Sequence, residues 1–370
     1  MPNGTIIYNE LQNFIREEYK KRGYHEVITP QLFNKALWEK SGHWEHFKEN
    51  MFVMEIDGEE FSLKPMNCPS HCLIYQLKNH SYRELPLRIA DFCYLHRNEL
   101  RGALGGMTRV RKFAQDDAHI YCTPEQIQGE IKHLLDFVKY IYHDIFRMEY
   151  SAKLSTKPEK AMGSPKLWEQ AEEALKKALD DAKMKYVIKP GEGAFYGPKI
   201  DFDVKDALGR DWQCATIQLD FQMPLRFDLK YMAPDNTLKT PVMIHRAILG
   251  TLERFIGVMT EHFAGKFPLW LNPVQVRIIP VAEPFIDYAR SVCAKYQNSG
   301  IRVEVDESQE TLNKKIRNAE LDKVNYILVV GGKEKENSSV NVRTRDNKVE
   351  GEKKTDDFLE RLKKEIAEKK

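Results

Sequence analysis

The chain has 370 residues, 42% hydrophobic and 30% charged; that is about two domains at roughly 100–200 residues each, and too apolar for disorder. No run nears the roughly 18 apolar residues of a membrane span, the first twenty residues are too charged for a signal peptide, and six irregularly spaced cysteines do not make a secreted disulfide framework, so a reducing, cytoplasmic compartment is expected. With 57 basic and 55 acidic residues the net charge is +2, and a nucleic-acid partner would have to be met by a local patch.

Tyr8, Leu11, Phe14, Ile15 and Tyr19 recur at helical spacing and predict an amphipathic helix over 8–22. Gly23 ends it, and Val27-Ile28-Thr29 before Pro30 reads as a short strand. Residues 87–92 and 108–113 read as strands on either side of Leu95-His96-Arg97-Asn98-Glu99 and a glycine-rich loop, 101–106. Thr123-Pro124-Glu125 caps a helix over 127–142, and the lysine- and alanine-rich stretch 168–185 predicts a helical surface insertion. In 213–222, Ala215, Ile217, Leu219 and Phe221 alternate with Cys214, Thr216, Gln218 and Asp220. Such a strand packs on one side and presents a polar row on the other. Residues 241–249 are strand-like, and Gly250-Thr251 opens an amphipathic helix through Phe263.

Phe267-Pro268-Leu269-Trp270-Leu271-Asn272-Pro273 marks a boundary. Beyond it strands at 274–281, 301–305, 326–330 and 340–345 alternate with helices at 286–297, 312–321 and from Thr355. That order implies a small domain with a largely parallel sheet. The expected fold class is α+β: a large antiparallel sheet flanked by helices over 1–268, then a small α/β domain over 269–370.

Three polar clusters stand out. Met66-Asn67-Cys68-Pro69-Ser70-His71-Cys72 offers cysteine and histidine within five residues, Gln115-Asp116-Asp117-Ala118-His119 puts two carboxylates beside a histidine, and His245 interrupts an apolar strand. Alone, each has a plain reading: a structural turn, a solvated strand end, a satisfied core histidine. None has the spacing of a zinc finger. Arg97, where a strand meets a glycine-rich loop, suits bidentate capture of phosphate or carboxylate. Nothing here is a Walker or Rossmann motif.

Together these pieces are specific. Leu95-His96-Arg97-Asn98-Glu99 in its strand-loop-strand, and Gly250-Thr251-Leu252-Glu253-Arg254-Phe255 opening a helix, resemble motifs 2 and 3 of class II aminoacyl-tRNA synthetases. Ile28-Thr29-Pro30 looks like motif 1. Met66-Asn67-Cys68-Pro69, Gln115-Asp116-Asp117-Ala118-His119, Phe195-Tyr196-Gly197-Pro198-Lys199 and Val242-Met243-Ile244-His245-Arg246 narrow the resemblance to the threonyl-tRNA synthetase family, over essentially the whole chain.

The resemblance implies a catalytic domain followed by an anticodon-binding domain, activation of L-threonine with ATP, and transfer to the 3′ end of tRNA(Thr). It implies one Zn2+ per chain on Cys68, His119 and His245, with open positions for the threonine amino and hydroxyl groups, an arrangement of catalytic rather than closed structural zinc. His71 and Cys72 compete for that role by proximity only. Asp117 would pair with the threonine ammonium, with Met66, Gln115, Tyr196 and Gln218 lining the pocket. Arg97 would contact the α-phosphate and substrate carboxylate, Glu99 the adenine amino group, Phe113 and Arg254 the two faces of the base, Arg109 the γ-phosphate, and Gln213 and Thr216 the ribose. Lys199 joins the catalytic set, Mg2+ would accompany the pyrophosphate, and His43 would activate the terminal ribose for transfer. Glu334 and Arg343 match family anticodon contacts, with Lys333 and Arg345 adding charge on the same sheet. Motif 1 implies a homodimer. Two departures stand out: Gln309-Glu310-Thr311 where bacterial forms carry Asn-Glu-Lys, and Ser70 where glycine is common. The chain starts immediately before its first catalytic helix, which leads to an expectation of no editing domain and of accumulated seryl-tRNA. The rivals are a class II synthetase for another amino acid and a non-catalytic RNA-binding relative. The Cys68/His119/His245 set argues against the first, and Arg97, Glu99 and Arg254 against the second.

Overall fold

The computed structural model describes all 370 residues. Helix α1 (Pro2–Lys21) buries Leu11, Phe14, Ile15 and Tyr19, and starts ahead of the apolar stripe because Pro2 is pre-set for a first helical position. Strand β1 (Tyr24–Glu26) precedes the expected strand at 27–29. After it only the Val27 N–H continues the pairing, to the Ala90 carbonyl at 2.8 Å, and Pro30 has no N–H to extend it.

Residues 12–259 form one compact unit, framed by a nine-stranded sheet. After β1 come β2 (Leu87–Asp91), β3 (Tyr94–His96), β4 (Lys112–Cys122), β5 (Tyr150–Ser155), β6 (Tyr186–Lys189), β7 (Lys199–Lys205), β8 (Asp211–Asp220) and β9 (Val242–Thr251). They lie in the order β1-β2-β4-β9-β8-β7-β5-β6, with β3 added to β4. Only the edge pairs β1/β2 and β5/β6 are parallel. Strand β4 corrects the sequence reading. The expected strand at 108–113 instead starts at Lys112 and runs to Cys122, so the Gln115–His119 cluster lies at the centre of the sheet. Both faces of β4 are covered, which removes the alternation that marks a half-solvated strand.

Helix α2 (Cys68–Gln76) carries Cys68 and His71. Helix α3 (Ile127–Lys139) continues into a π-helical turn, Tyr140–Ile145. The expected surface insertion is α4 (Pro165–Asp181), capped by Ser164; it is packed, burying Trp168, Ala171, Leu175 and Leu179. Helix α5 (Leu252–His262) begins two residues later than expected because β9 runs through Thr251.

The second unit comprises Met1–Leu11 and Thr260–Lys370. Its five strands are β10 (Val276–Pro280), β11 (Val303–Val305), β12 (Tyr326–Val330), β13 (Ser339–Thr344) and β14 (Val349–Lys354), ordered β11-β10-β12-β13-β14. The first three are parallel and the last two antiparallel. Helices α6 (Ile286–Asn298) and α9 (Thr355–Ala367) put Val292, Tyr296, Phe358 and Leu362 against Val276, Ile278 and Leu328. Helix α7 (Leu312–Leu321) covers Ile279 and Ile327 on the other face. The sequence reading missed the short α8 (Gly332–Glu336) and β14, whose single apolar residue, Val349, is exposed. The boundary segment is no solvated linker: Leu269 joins the core, and the Phe267 carbonyl accepts from Arg345 Nη1 at 2.6 Å.

Candidate active site

Register explains how residues far apart in sequence meet. His119 on β4 lies opposite His245 on β9, His245 opposite Gln218 on β8, and Gln218 opposite Lys199 on β7. Directly opposed residues point to one face, so these four form a row across the sheet. Asp117, Ala247, Thr216 and Asp201 form the next row, two residues along. The alternation in 213–222 is visible directly: Ala215, Ile217 and Leu219 are fully buried on the back, while Thr216 and Gln218 face a cavity of about 540 Å3.

Two glycines let the backbone close around this face. Gly250 has φ +75°, and a Cβ there would come within 2.3 Å of the Cys214 carbonyl oxygen; it sits in the irregular stretch where β9 loses register with β4. At Gly197 a Cβ would meet the Leu219 carbonyl oxygen at 2.0 Å. That close approach lets Tyr196 cap the row, its hydroxyl donating to Gln218 Oε1 at 2.9 Å and its ring stacked on His245.

At the buried end of the cavity, Cys68 Sγ and one ring nitrogen each of His119 and His245 lie within 4.8 Å of one another. Asp220 Oδ2 is 2.9 Å from His245 Nε2, and His71 Nδ1 is 2.7 Å from His119 Nδ1. These contacts leave Nδ1 of His245 and Nε2 of His119 for a ligand, the usual way an outer partner fixes a metal-binding imidazole. Burial pushes the Cys68 thiol up and the His119 imidazole down, and burial raises the Asp117 carboxyl. A cation among these groups would favour the thiolate. A buried set of one thiol and two imidazoles with a carboxylate nearby fits a borderline metal such as zinc. Cys72 points elsewhere, accepting from Tyr121 OH at 3.6 Å. Asp117 Oδ2 accepts from Asn67 Nδ2 at 3.0 Å.

The other end is richer in arginine. Arg97, Glu99, Arg109 and Arg254 line the same cavity as Met66, Gln115, Asp117, Tyr196, Lys199, Gln213, Thr216 and Gln218. Arg97 Nε donates to the Pro65 carbonyl at 3.3 Å, with its guanidinium over the Phe113 ring. Arg254, in the first turn of α5, donates to the carbonyls of Thr108 and Gln213, both at 2.8 Å. Glu253 beside it accepts from the Ala114 N–H, tying α5 to β4. Arg109 is bonded to Glu99, at 2.8 and 2.9 Å. Thus the two residues expected at opposite ends of ATP hold each other. Asp201 accepts from Gln213 Nε2 at 2.5 Å and Thr216 Oγ1 at 2.9 Å, and pairs with Lys199 Nζ at 2.6 Å.

Two expected residues are not on the cavity wall. Phe113 is buried beneath Arg97. His43 is fully buried, its Nδ1 2.8 Å from Ser41 Oγ and its Nε2 3.1 Å from Met66 Sδ and 3.9 Å from Cys68 Sγ. Burial, with neighbouring positive groups, holds its pKa down to about 3, so it is neutral at pH 7. Sequence reasoning missed Asn67, Asp201 and Asp220. Asp220 was within reach of it, since period two places it on the face of Gln218.

In the second unit, the Glu334 carboxylate accepts from the Gly331 N–H at 3.0 Å. Arg343 lies on β13 opposite Ile327. Lys333 is paired with Glu352 at 2.7 Å, and Arg345 is spent on the Phe267 carbonyl.

Residues 52–263 match the tRNA synthetase class II core domain (G, H, P, S and T), and residues 275–365 the anticodon binding domain. Threonine--tRNA ligase 1, cytoplasmic, of Rattus norvegicus is 54% identical over 364 residues, covering 98% of this chain and 52% of its own length. Threonine--tRNA ligase of Finegoldia magna is 52% identical over 361 residues, 98% of this chain and 57% of its own. The chain thus spans about half the length of the curated relatives it matches. The crystal structure of the RNA binding domain of threonyl-tRNA synthetase from Cryptosporidium parvum superposes with a TM-score of 0.96 at 46% identity, covering 98% of this chain and 92% of that one. With the class II core and anticodon binding domains both matched, and a likeness this extensive, the chain belongs to the threonyl-tRNA synthetase family of class II tRNA synthetases.

Proposed function

We propose that this chain activates L-threonine with ATP and transfers it to the 3′ end of tRNA(Thr). The observation that carries the reading is that one cavity is lined both by the Cys68/His119/His245 cluster and by Arg97, Arg109 and Arg254. Zn2+, when held by those three ligands, supplies open positions that a hydroxyl and an amino group can fill and a methyl cannot. This matters because valine is threonine's isostere, and an apolar pocket alone rejects an isostere by only about 10²-fold. Asp117 offers a carboxylate to the ammonium, and Gln218 and Tyr196 close over the side chain.

Arg97 and Arg254 bind phosphate and carboxylate oxygens as the carboxylate attacks the α-phosphorus, offsetting charge that grows in the transition state. Both guanidiniums keep N–H groups beyond those given to backbone carbonyls. Glu99 and Arg109 must part to receive adenine and γ-phosphate. The exposed partner moves: Arg109 is 53% exposed and Glu99 16%, so Arg109 can swing into solvent while Glu99 stays on the wall. Asp201 fixes Gln213, Thr216 and Lys199 for the ribose and the reacting centre, with Mg2+ on the pyrophosphate. His43 serves transfer to the terminal ribose once the flexible Met66 side chain moves off its Nε2. Residues 1–268 act as the catalytic domain and 269–370 as the anticodon-binding domain, with Glu334 and Arg343 reading bases. A homodimer and a cytoplasmic site of action complete the reading; the rat relative is named cytoplasmic, and no helix is long and apolar enough to cross a membrane. Threonine-dependent ATP–pyrophosphate exchange tests it: no exchange with zinc-loaded protein would refute it.

A further inference from the structure

His71 takes no part in the reaction above, yet it is fully buried and packed edge-on against His119. Cys68 and His71 are three residues apart on α2, so they share one side of the helix. The 2.7 Å contact joins His119 Nδ1 to His71 Nδ1, and one proton must lie between two nitrogens. If His119 ligates through Nε2, its Nδ1 carries that proton and His71 Nδ1 accepts it. The His71 proton then sits on Nε2, a buried atom with no hydrogen-bond partner, 3.9 Å from Asp91 Oδ2. Asp91 is itself anchored: Thr29 Oγ1 donates at 2.8 Å, the Cys93 N–H at 2.6 Å, and Lys64 Nζ lies 3.5 Å away. Lys64, His71 and Asp91 are all wholly buried. A buried lysine and carboxylate are costly unless matched, and here they match each other on the far side of His71 from His119.

We propose that His71 is a positioning residue for the zinc site: it accepts the Nδ1 proton of His119 and fixes that ring as an Nε2 ligand, its own Nε2 facing the buried Asp91 carboxylate. This rests on the reading of Cys68, His119 and His245 as zinc ligands, and the test separates the two. Removing such an outer partner typically costs 10–100-fold in metal affinity. Zinc dissociation constants of the full chain are measured by competition with a chromophoric chelator, with circular dichroism monitoring the fold. His71→Leu, which has no acceptor, should bind zinc 10–100-fold more weakly. His71→Asn places an amide oxygen near the position of Nδ1 and should stay within about threefold of the unmodified protein. Cys68→Ser should lose the metal altogether. If the unmodified protein binds no zinc, or Cys68→Ser retains it, the ligand reading fails. If those two behave as expected but His71→Leu binds like the unmodified protein, or both His71 variants weaken equally, the inference about His71 is overturned alone. Should His71→Leu not fold, His71→Asn decides: near-native affinity supports the acceptor role, and a tenfold loss refutes it.

Discussion

The two ends of the cavity are built differently. The thiol-imidazole end is buried; its two imidazoles stand on central strands of the sheet and its thiol on the first residue of α2. His119, His245 and Gln218 are aligned by strand register, and Asp220, His71 and Asn67 hold the rings and the carboxylate in place. The arginine end is set on the loop between β3 and β4 and on the first turn of α5. Its guanidiniums rest on backbone carbonyls or, in Arg109, on the Glu99 carboxylate. The difference teaches a division of labour. On the proposed reading, telling threonine from valine calls for donors that do not shift, whereas ATP brings charge around which partly exposed arginines can reorganise.

The sharpest way to break this comparison is to remove one donor from the rigid end. Cys68→Ser should abolish zinc retention and threonine activation while circular dichroism stays native, because two imidazoles alone hold zinc poorly. Retained exchange would show that the buried end is only structural. At the other end, Arg97→Ala or Arg254→Ala should slow adenylate formation by about 10²–10³-fold, the scale of losing one donor to developing charge, with zinc content unchanged. A loss of zinc in either variant would mean that the ends are not separable.

His43 lies behind the cavity wall, touching Met66 and near Cys68. His43→Ala should spare pyrophosphate exchange and slow transfer to tRNA by about 10²-fold, at the low end of general acid–base effects. Equal loss in both half-reactions would show that His43 only props Met66. The smallest expected discrimination concerns serine, which offers the same amino and hydroxyl groups as threonine and lacks one methyl. Serine should be activated about 10–200-fold less well than threonine, and valine barely. Comparable serine and valine rates in exchange would refute selection by hydroxyl ligation.

Much of the site was legible in the sequence, and the gaps have physical causes. The period-two polar row at Thr216 and Gln218 reaches one cavity with Arg97, Glu99, Arg109 and Arg254, while Phe113 and His43 lie behind its wall. What the sequence hid was pairing. Nothing local says that His119 stands opposite His245, or that Asp117 is central in β4 and not at a solvated end, because a strand covered on both faces has no alternation. His71 reads as a bystander until the 2.7 Å contact appears. The edge strand β14 was missed for the opposite reason: Glu350, Glu352, Lys353 and Lys354 give it no apolar face.

On the proposed reading, a metal held by Cys68, His119 and His245 selects the amino acid in the same cavity where ATP is used. Threonine-dependent pyrophosphate exchange on one preparation, before chelation, after it, and after return of one equivalent of zinc, tests this most directly. The expected result is about one zinc per chain, one per three-ligand site, loss of exchange with the metal, and recovery with its return. Full threonine-dependent exchange by metal-free protein would contradict it.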